Sequence, residues 1–201
     1  MSEARHAPAA ARNREPILEV LRRVLPPEGR VLEIASGTGE HAVFFAAALP
    51  DLVWIPTDAD PNALPSIAAH RDLAAAPNVE PPRLLDTQEP WPLEPDEKIA
   101  ALVAINVIHI SPWEATLALF EGAARVLPSG APLVTYGPYA IDGAHTAPSN
   151  EAFDASLRAR DPRWGVRDLN DVTRVAKDAS FELEERVAMP ANNFTLVFRR
   201  R

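Results

Sequence analysis

The sequence predicts a doubly wound α/β fold: a mostly parallel seven-stranded sheet with helices on both faces and a C-terminal antiparallel hairpin. Three observations carry this. Short apolar runs alternate with segments of helical periodicity, which implies βαβ units and a parallel sheet. A glycine turn, Ser36-Gly37-Thr38-Gly39, directly follows the first apolar run. The last two apolar segments instead alternate residue by residue, with Pro190-Ala191-Asn192-Asn193 between them, the mark of an antiparallel pair.

The elements follow in order. Pro16 suits the first position of a helix on which Ile17, Leu21, Val24 and Leu25 recur opposite Glu19, Arg22 and Arg23. Pro26, Pro27 and Gly29 end it. Val31–Ile34 reads as a strand, and His41–Leu49 as a helix apolar nearly all round. Leu52–Ile55 is the next strand, ending at Thr57-Asp58. A helix runs from about Asn62 to Ala75, with Pro65 setting its true start near Leu64. Val79–Leu85 is a third strand, placed near an edge by Pro81 and Pro82. After the proline-rich loop Glu89–Pro95, the unbroken apolar run Ile99–Ile105 reads as a central parallel strand.

Ser111-Pro112-Trp113-Glu114 has the form of a capping box, and Trp113, Leu117, Phe120, Ala124 and Leu127 make one stripe behind it. Leu133–Tyr136 is a fifth strand, followed by an irregular loop from Tyr139 to Pro148. Ser149 is expected to cap a helix reaching about Arg160. Asp168 is expected to cap another, with Leu169, Val172, Val175, Ala176 and Ala179 on one face. Two alternating strands close the chain, Phe181 to Met189 and Phe194 to Phe198. No repeat or composition break divides the sequence. A single domain over 1–201 is expected, with an N-terminal arm over 1–14 and a substrate-side loop and helices over 139–180.

Composition narrows the functional classes. Of 201 residues, 47% are hydrophobic and 24% charged, as in ordinary globular proteins. A net charge of −8 disfavours a nucleic-acid partner, and the local cluster Arg158, Arg160, Arg163 and Arg167 reads as a solvated face. With no cysteine, disulfides, thiolate zinc sites and a cysteine nucleophile are excluded, and a reducing cytoplasm is the simplest expectation. Met1–Arg14 has no signal-peptide core, and no apolar run approaches the roughly 20 residues of a membrane span. His6, His41, His70, His109 and His145 show no close ligand spacing, so no metal is expected. No Gly-x-Ser-x-Gly elbow is present for a hydrolase.

In doubly wound sheets, ligands bind beyond the carboxyl ends of the strands near the switch in strand order. The glycine turn falls there. Gly37 and Gly39 let backbone approach a ligand without side-chain obstruction. Asp58, at the end of the second strand, can accept both hydroxyls of an adenosine ribose; Asp60 is a second candidate, with a helix cap as its alternative. Gly37-Thr38-Gly39-Glu40-His41-Ala42 also fits the G-x-G-x-x-A pattern of nicotinamide dinucleotide sites. The motif alone therefore leaves an NAD(P)-dependent oxidoreductase open, and a non-catalytic scaffold as well. The amphipathic helix before the first strand, Glu33 within that strand and the terminal hairpin favour the methyltransferase variant.

Val31-Leu32-Glu33-Ile34-Ala35-Ser36-Gly37-Thr38-Gly39-Glu40-His41 resembles motif I of class I, Rossmann-like, S-adenosylmethionine-dependent methyltransferases. Nearly the whole chain also resembles the little-characterised methyltransferase-like protein 26 family, a domain of unknown function. The matching segments are Arg12–Leu18, His109–Pro112, Tyr136–Tyr139, Ser149-Asn150, Phe153-Asp154, Trp164–Asp168 and Met189–Asn193. The resemblance implies S-adenosylmethionine as cofactor and S-adenosylhomocysteine as product. It implies that Glu33, Gly37 and Gly39, with Ala35 and Ser36 in the same turn, line the methionine half. Asp58 would take the ribose, Asp86 and Thr87 the adenine, and Asn106 would lie under the cofactor. Ala35 stands where many such enzymes have a first glycine. Arg12 and Asn13, read as preceding the first helix, are candidates to fold over the cofactor, with a disordered tail as the alternative.

Methyl transfer mainly requires alignment of nucleophile, methyl and sulfur. His109, just past the fourth strand and with an ordinary pKa of about 6.5, is the candidate base; the alternative is a histidine bonding backbone at a helix entrance. Tyr139 is the second catalytic candidate. Tyr136 and Tyr139 flank Gly137-Pro138 and, with Trp113, are candidate walls of a substrate pocket; for Trp113 the helical stripe offers core packing as the alternative. Asn192 and Asn193 sit at the expected pocket mouth, with plain turn chemistry as the alternative. His145, Ser149 and Asn150 belong to a loop of lid length. Asn106-Val107-Ile108-His109 lacks the Asn-Pro-Pro-aromatic signature of enzymes that methylate planar amino groups, which shifts weight to a small-molecule acceptor, with no nucleic acid and no membrane as partner.

Overall fold

The computed structural model describes residues 4–94 and 96–201. Met1–Glu3 of the expected arm and Pro95 of the expected loop lie outside them. The elements are α1 (Pro8–Val24), β1 (Gly29–Ile34), α2 (Glu40–Ala48), β2 (Leu52–Asp58), α3 (Leu64–Ala74), β3 (Arg83–Leu84), β4 (Ile99–Ile105), α4 (Trp113–Val126), β5 (Pro132–Gly137), β6 (Tyr139–Ile141), β7 (Ala144–His145), α5 (Pro148–Arg160), β8 (Arg167–Asp168), α6 (Leu169–Asp178), β9 (Phe181–Met189) and β10 (Asn193–Arg200).

Seven strands form one sheet in the order β3-β2-β1-β4-β5-β10-β9. β1 pairs parallel with β2, and β2 with β3. β10 pairs antiparallel with β5 and β9, with a bulge at Val197/Phe198. The sheet is thus the expected mostly parallel one with a terminal antiparallel hairpin. β3, β6, β7 and β8 are two or three residues long, and the last three form a small second sheet in the order β7-β6-β8. The chain divides into two compact units, one ending at Val103 and the other running from Ala104 to Arg201.

In the first unit α1, α2 and α3 bury Ile17, Leu21, Phe45 and Ile67 completely, and β1 and β2 bury Leu32, Trp54 and Ile55. Phe45 packs on Trp54 with ring centroids 5.6 Å apart. In the second unit the α4 residue Phe120 meets Phe181 at 5.8 Å and Phe198 at 5.2 Å, edge to face; such pairs add about 0.5–1.5 kcal/mol to the burial itself. Among the described residues no helix is long and apolar enough to cross a membrane.

Several boundaries differ from expectation for local reasons. α1 begins at Pro8, with Pro16 inside it. The helix absorbs one lost N–H bond because Ile17, Leu18, Val20 and Leu21 are buried beyond it. Arg12 and Asn13 are therefore helical, and the arm shrinks to residues before Pro8. Ser111 does not cap α4: its hydroxyl donates to the Val107 carbonyl at 2.7 Å, and the cap position is Pro112. Ser149 lies inside α5, whose cap position is Ala147. Asp168 does cap α6, accepting from the Asn170 N–H at 2.8 Å. The third strand is reduced to Arg83–Leu84 at the sheet edge, plus one bridge between Trp54 and Val79, because Pro81 and Pro82 offer no N–H between them. The loop after Tyr139 is not irregular but holds β6 and β7.

The turn after β1 owes its path to glycine. Gly39 has φ +92°, and a Cβ there would stand 2.7 Å from the Ile67 Cα of α3. Gly39→Ala should therefore destabilise the protein by about 2–4 kcal/mol through left-handed strain and overpacking. Gly37→Ala, at φ +61° with nothing within 4 Å of the added atom, should cost only about 1–2 kcal/mol. Urea unfolding of the two variants checks the difference.

Candidate functional site

The strand order reverses at β1, and ligands in such sheets bind beyond the strand ends at this point. There the backbone is left-handed three times, at Ala35 (φ +57°), Gly37 (φ +61°) and Gly39 (φ +92°). Alanine pays for this conformation where glycine does not, by about 1–2 kcal/mol. Hydrogen bonds hold it. Glu33, 1% exposed, accepts from the Ser36 hydroxyl at 2.8 Å and from the Trp54 indole N–H at 3.0 Å, both at Oε2. The Ser36 hydroxyl oxygen accepts the Thr57 N–H at 3.2 Å, and the Ser36 N–H donates to the Thr57 carbonyl at 2.7 Å. The Thr57 hydroxyl returns a bond to the Glu33 carbonyl at 2.7 Å. Burial pushes the Glu33 carboxyl up to about 7. Ser36 thus commits its hydroxyl inside the fold, and Glu33 Oε2 braces the turn from within.

Asp58 closes β2, 9% exposed. Its Oδ2 accepts the Gly37 N–H and its Oδ1 the Asp60 N–H, both at 2.9 Å. Burial raises its pKa. Each carboxylate oxygen has two acceptor sites, so one on each remains for another donor. Asp60 is exposed and accepts from the Asn62 N–H at 2.9 Å, an Asx turn ahead of α3 rather than its cap. Gly37 is exposed, and the space where a Cβ would stand is open. Asp86 is exposed, with Oδ1 accepting the Gln88 N–H at 3.0 Å, while Thr87 is 9% exposed and its carbonyl accepts the Trp91 indole N–H at 3.3 Å. Asn13 is not an arm residue: it is 9% exposed on α1, with Oδ1 2.8 Å from His41 Nε2. Burial drives His41 down to about 4, so its ring is neutral and donates to Asn13. Helix docking accounts for Asn13.

In the second unit, Asn106 stands after β4 at φ +61°, and its N–H donates to the Tyr136 carbonyl at 2.7 Å. Asparagine tolerates this backbone well. A 3₁₀ turn, Val107–His109, follows. His109 is 0% exposed. Its Nδ1 accepts the Arg167 N–H at 3.4 Å and its carbonyl the Gly165 N–H at 3.0 Å. The proton of the neutral ring therefore sits on Nε2, which has no partner among the described residues. The ring meets Tyr139 edge on, centroids 4.9 Å apart, and a Cβ at Gly137 would overlap it. Burial first, then the Arg167 charge, drives His109 down to about 3, which leaves a weak base at neutral pH.

Tyr139 is also 0% exposed; its hydroxyl pairs with the Thr135 hydroxyl at 2.7 Å, and burial raises its pKa. It is a core residue here, neither an acid–base group facing solvent nor a wall of an open cavity. Tyr136 is 4% exposed. Trp113 is half-buried beneath the Arg167 guanidinium at 5.5 Å, and lines a cavity of about 450 Å³ with Ala140, His145, Arg158, Val166 and Asp168. That volume falls in the range of small-molecule sites. Asn192 (φ +58°) and Asn193 do turn chemistry: the Asn193 side chain donates to the Pro190 carbonyl at 3.1 Å, and the Asn192 carbonyl accepts from the Asn150 side chain at 2.9 Å. Asn150 is thereby 4% exposed rather than on a free lid. The sequence places Asp154 in a family-matching segment without giving it a role; in the structure it accepts the Val166 N–H and the Arg158 Nε–H, each at 2.7 Å. Arg158, four positions on, was the physical signal for that pairing.

The chain matches the model of the family described as "Protein of unknown function (DUF938)" over residues 4–200. It belongs to that family. Among solved structures, it is similar to the S-adenosylmethionine-dependent methyltransferase SibL in its apo form: 20% identity, TM-score 0.77, covering 95% of this chain and 55% of that one. It is similar to an O-methyltransferase family protein from Burkholderia thailandensis: 14% identity, TM-score 0.79, 92% and 55% covered. It is similar to CalO1, a methyltransferase in calicheamicin biosynthesis in its S-adenosylhomocysteine-bound form: 16% identity, TM-score 0.74, 96% and 54% covered. The chain of this DUF938 member spans a little over half the length of these neighbours. The likeness shows the class I methyltransferase fold.

Two predictions follow from the buried groups. An unfolded glutamate titrates near 4.5 and Glu33 in the fold at about 7. Between these values the native state binds a proton that the unfolded state has lost. The Glu33 contribution is thus full below about pH 4.5 and lost as pH rises through about 7, on the order of 3 kcal/mol. Glu33→Gln keeps an acceptor oxygen and cannot ionise, so relative to wild type it should gain stability between about pH 5 and about pH 8 in urea unfolding. His109 has the opposite sign: depressed from 6.5 to about 3, it contributes stability above pH 6.5 that is lost as pH falls toward 3. His109→Ala should cost about 2–4 kcal/mol at neutral pH, a difference that shrinks on acidification in the same assay.

Proposed function

We propose that this protein binds S-adenosylmethionine at the turn Ala35–Gly39 and transfers its methyl group to a small-molecule acceptor. One observation carries the reading: the exposed, side-chain-free backbone of Gly37, left-handed and bonded through its N–H to the Asp58 carboxylate at the end of β2. An adenosyl ligand needs that pairing of bare peptide and acid, and the residues present fit it. Gly37 offers the approach surface. Asp58 keeps acceptor capacity for the ribose hydroxyls, held in place by two backbone N–H groups. Asp86 and Thr87 stand beyond β3 for the adenine end, and Glu33 and Ser36 hold the turn from within.

When bound, S-adenosylmethionine supplies an electrophilic methyl on a sulfonium, and the departing thioether is neutral. Alignment of the acceptor then dominates the chemistry. His109, neutral and enclosed, positions the chain after β4 through its carbonyl and Nδ1, and proton removal does not fall to it. Tyr139 supports that ring. The 450 Å³ cavity beside Trp113 is of the size a small acceptor requires. The names of the similar structures and the absence of an Asn-Pro-Pro-aromatic signature support the same acceptor class.

A nicotinamide dinucleotide is the rival, because Gly37–Ala42 fits its fingerprint too. Isothermal titration separates them: S-adenosylhomocysteine should bind and NAD should not. Gly37→Val should weaken the nucleoside at least about tenfold, about 1.4 kcal/mol, with the circular dichroism of the fold retained. Tight NAD binding with no response to S-adenosylhomocysteine would overturn the reading.

A further inference from the structure

Three metal-ligating side chains far apart in sequence meet on the first unit. His6 precedes α1, Glu40 opens α2, and His70 lies on α3. One ligand atom from each lies within 4.8 Å of the other two. His6 Nδ1 is 3.1 Å from Glu40 Oε1, and the His6 and His70 rings meet edge to face at 5.3 Å. Two ligands held about 2.0–2.1 Å from a tetrahedral zinc stand about 3.3 Å apart. The His6–Glu40 pair already has nearly that separation.

The surroundings orient the set. His70 Nε2 lies 2.8 Å from the Arg5 carbonyl. A carbonyl only accepts, so Nε2 carries the proton and Nδ1 keeps the lone pair of the neutral ring. Metal-bound histidines are typically fixed in this way, through the second N–H on a backbone carbonyl. Glu40 Oε2 accepts the Ala7 N–H at 2.7 Å and the Thr38 hydroxyl at 2.9 Å, which turns Oε1 toward His6. The Arg5 N–H donates to the Ser66 hydroxyl at 2.9 Å, and the Arg5 guanidinium to the Asn62 carbonyl at 2.8 Å. The segment is thus docked on α3 before any ion arrives. Two imidazoles and one carboxylate are the donor set of zinc sites that keep a water position, and this set favours zinc-class ions over magnesium or calcium.

We infer that His6, Glu40 and His70 bind one zinc-class divalent ion, with water completing the shell, and that the ion clasps the segment before α1 onto α2 and α3. The ion takes no part in methyl transfer, so the inference stands or falls apart from the proposed activity. Titration of the full chain with Co²⁺, followed by visible absorption and then by zinc displacement in a calorimeter, tests it. The expected result is one equivalent, with the intense absorption of a four- or five-coordinate cobalt site that magnesium does not abolish. His6→Ala and His70→Ala should each weaken zinc at least about tenfold. The His6 side chain is 75% exposed, so its removal leaves the fold intact and the result readable. A wild-type chain that takes up no zinc, or one whose affinity is unchanged in both variants, overturns the inference.

Discussion

The carboxyl group sealed inside β1 is the constraint on which the first unit depends. An isolated buried carboxylate would be costly, yet Glu33, next to last in β1, is 1% exposed. It is tolerated because one oxygen receives two donors, the Ser36 hydroxyl and the Trp54 indole. These come from the turn after β1 and from the neighbouring strand. The Ser36 hydroxyl oxygen in turn accepts from Thr57, near the end of β2. One network therefore ties together the ends of two strands and the turn that leaves the first. With the turn fixed, the Gly37 N–H falls on Asp58 and the open face of Gly37 is held toward solvent. Satisfied buried polar networks of this kind specify a geometry that apolar packing alone leaves loose.

The second unit positions its groups by shape and by donors to carbonyls. Gly137 has no side chain, and the His109 ring occupies the room this leaves. The Arg167 guanidinium donates to the carbonyls of Ile108, Ser111 and Arg163 at 2.7–3.0 Å. A half-buried cation satisfied by three carbonyls is a fixture of the backbone and also a local positive charge. Both properties work against a protonated His109. Enclosure removes water from the ring, and Arg167 repels a second cation beside it. The sequence offers His109 as a base or as a histidine bonding backbone at a helix entrance, and its enclosed, neutral ring and its bonds to Arg167 and Gly165 agree with the second.

What was legible in the sequence was periodic. The unbroken apolar run Ile99–Ile105 and the alternation in Phe181–Met189 each became the strand they announce. The glycines and Asp58 were legible because their chemistry is carried by backbone and by position at a strand end. Side-chain direction was not. A motif places Glu33 and Ser36 at the turn but does not say that the Ser36 hydroxyl bonds both Glu33 and Thr57. Asn13 seemed to precede a helix because Pro16 resembles a helix start. Tertiary burial of Ile17 and Leu21 carried the helix through the proline instead. Ser111 had the spacing of a cap, yet its hydroxyl found the nearer Val107 carbonyl. The gathering of His6, Glu40 and His70 had no sequence signal, because it depends on how the segment before α1 folds back.

The turn also shows why its three left-handed residues are not interchangeable. Gly39 is required by packing, since α3 passes so close that no Cβ fits. Gly37 has open space where a Cβ would go, so packing leaves its identity free, and within the fold only its left-handed conformation selects glycine. Ala35 meets neither demand and still adopts φ +57°. Its strain persists because the Ser36 N–H and hydroxyl, one residue on, are both committed to Thr57. Strain held in place by surrounding bonds concentrates at ligand clamps and active sites. Strained alanine, sterically locked glycine and open glycine within five residues therefore point to a ligand at Gly37 more strongly than the glycine count of the motif does.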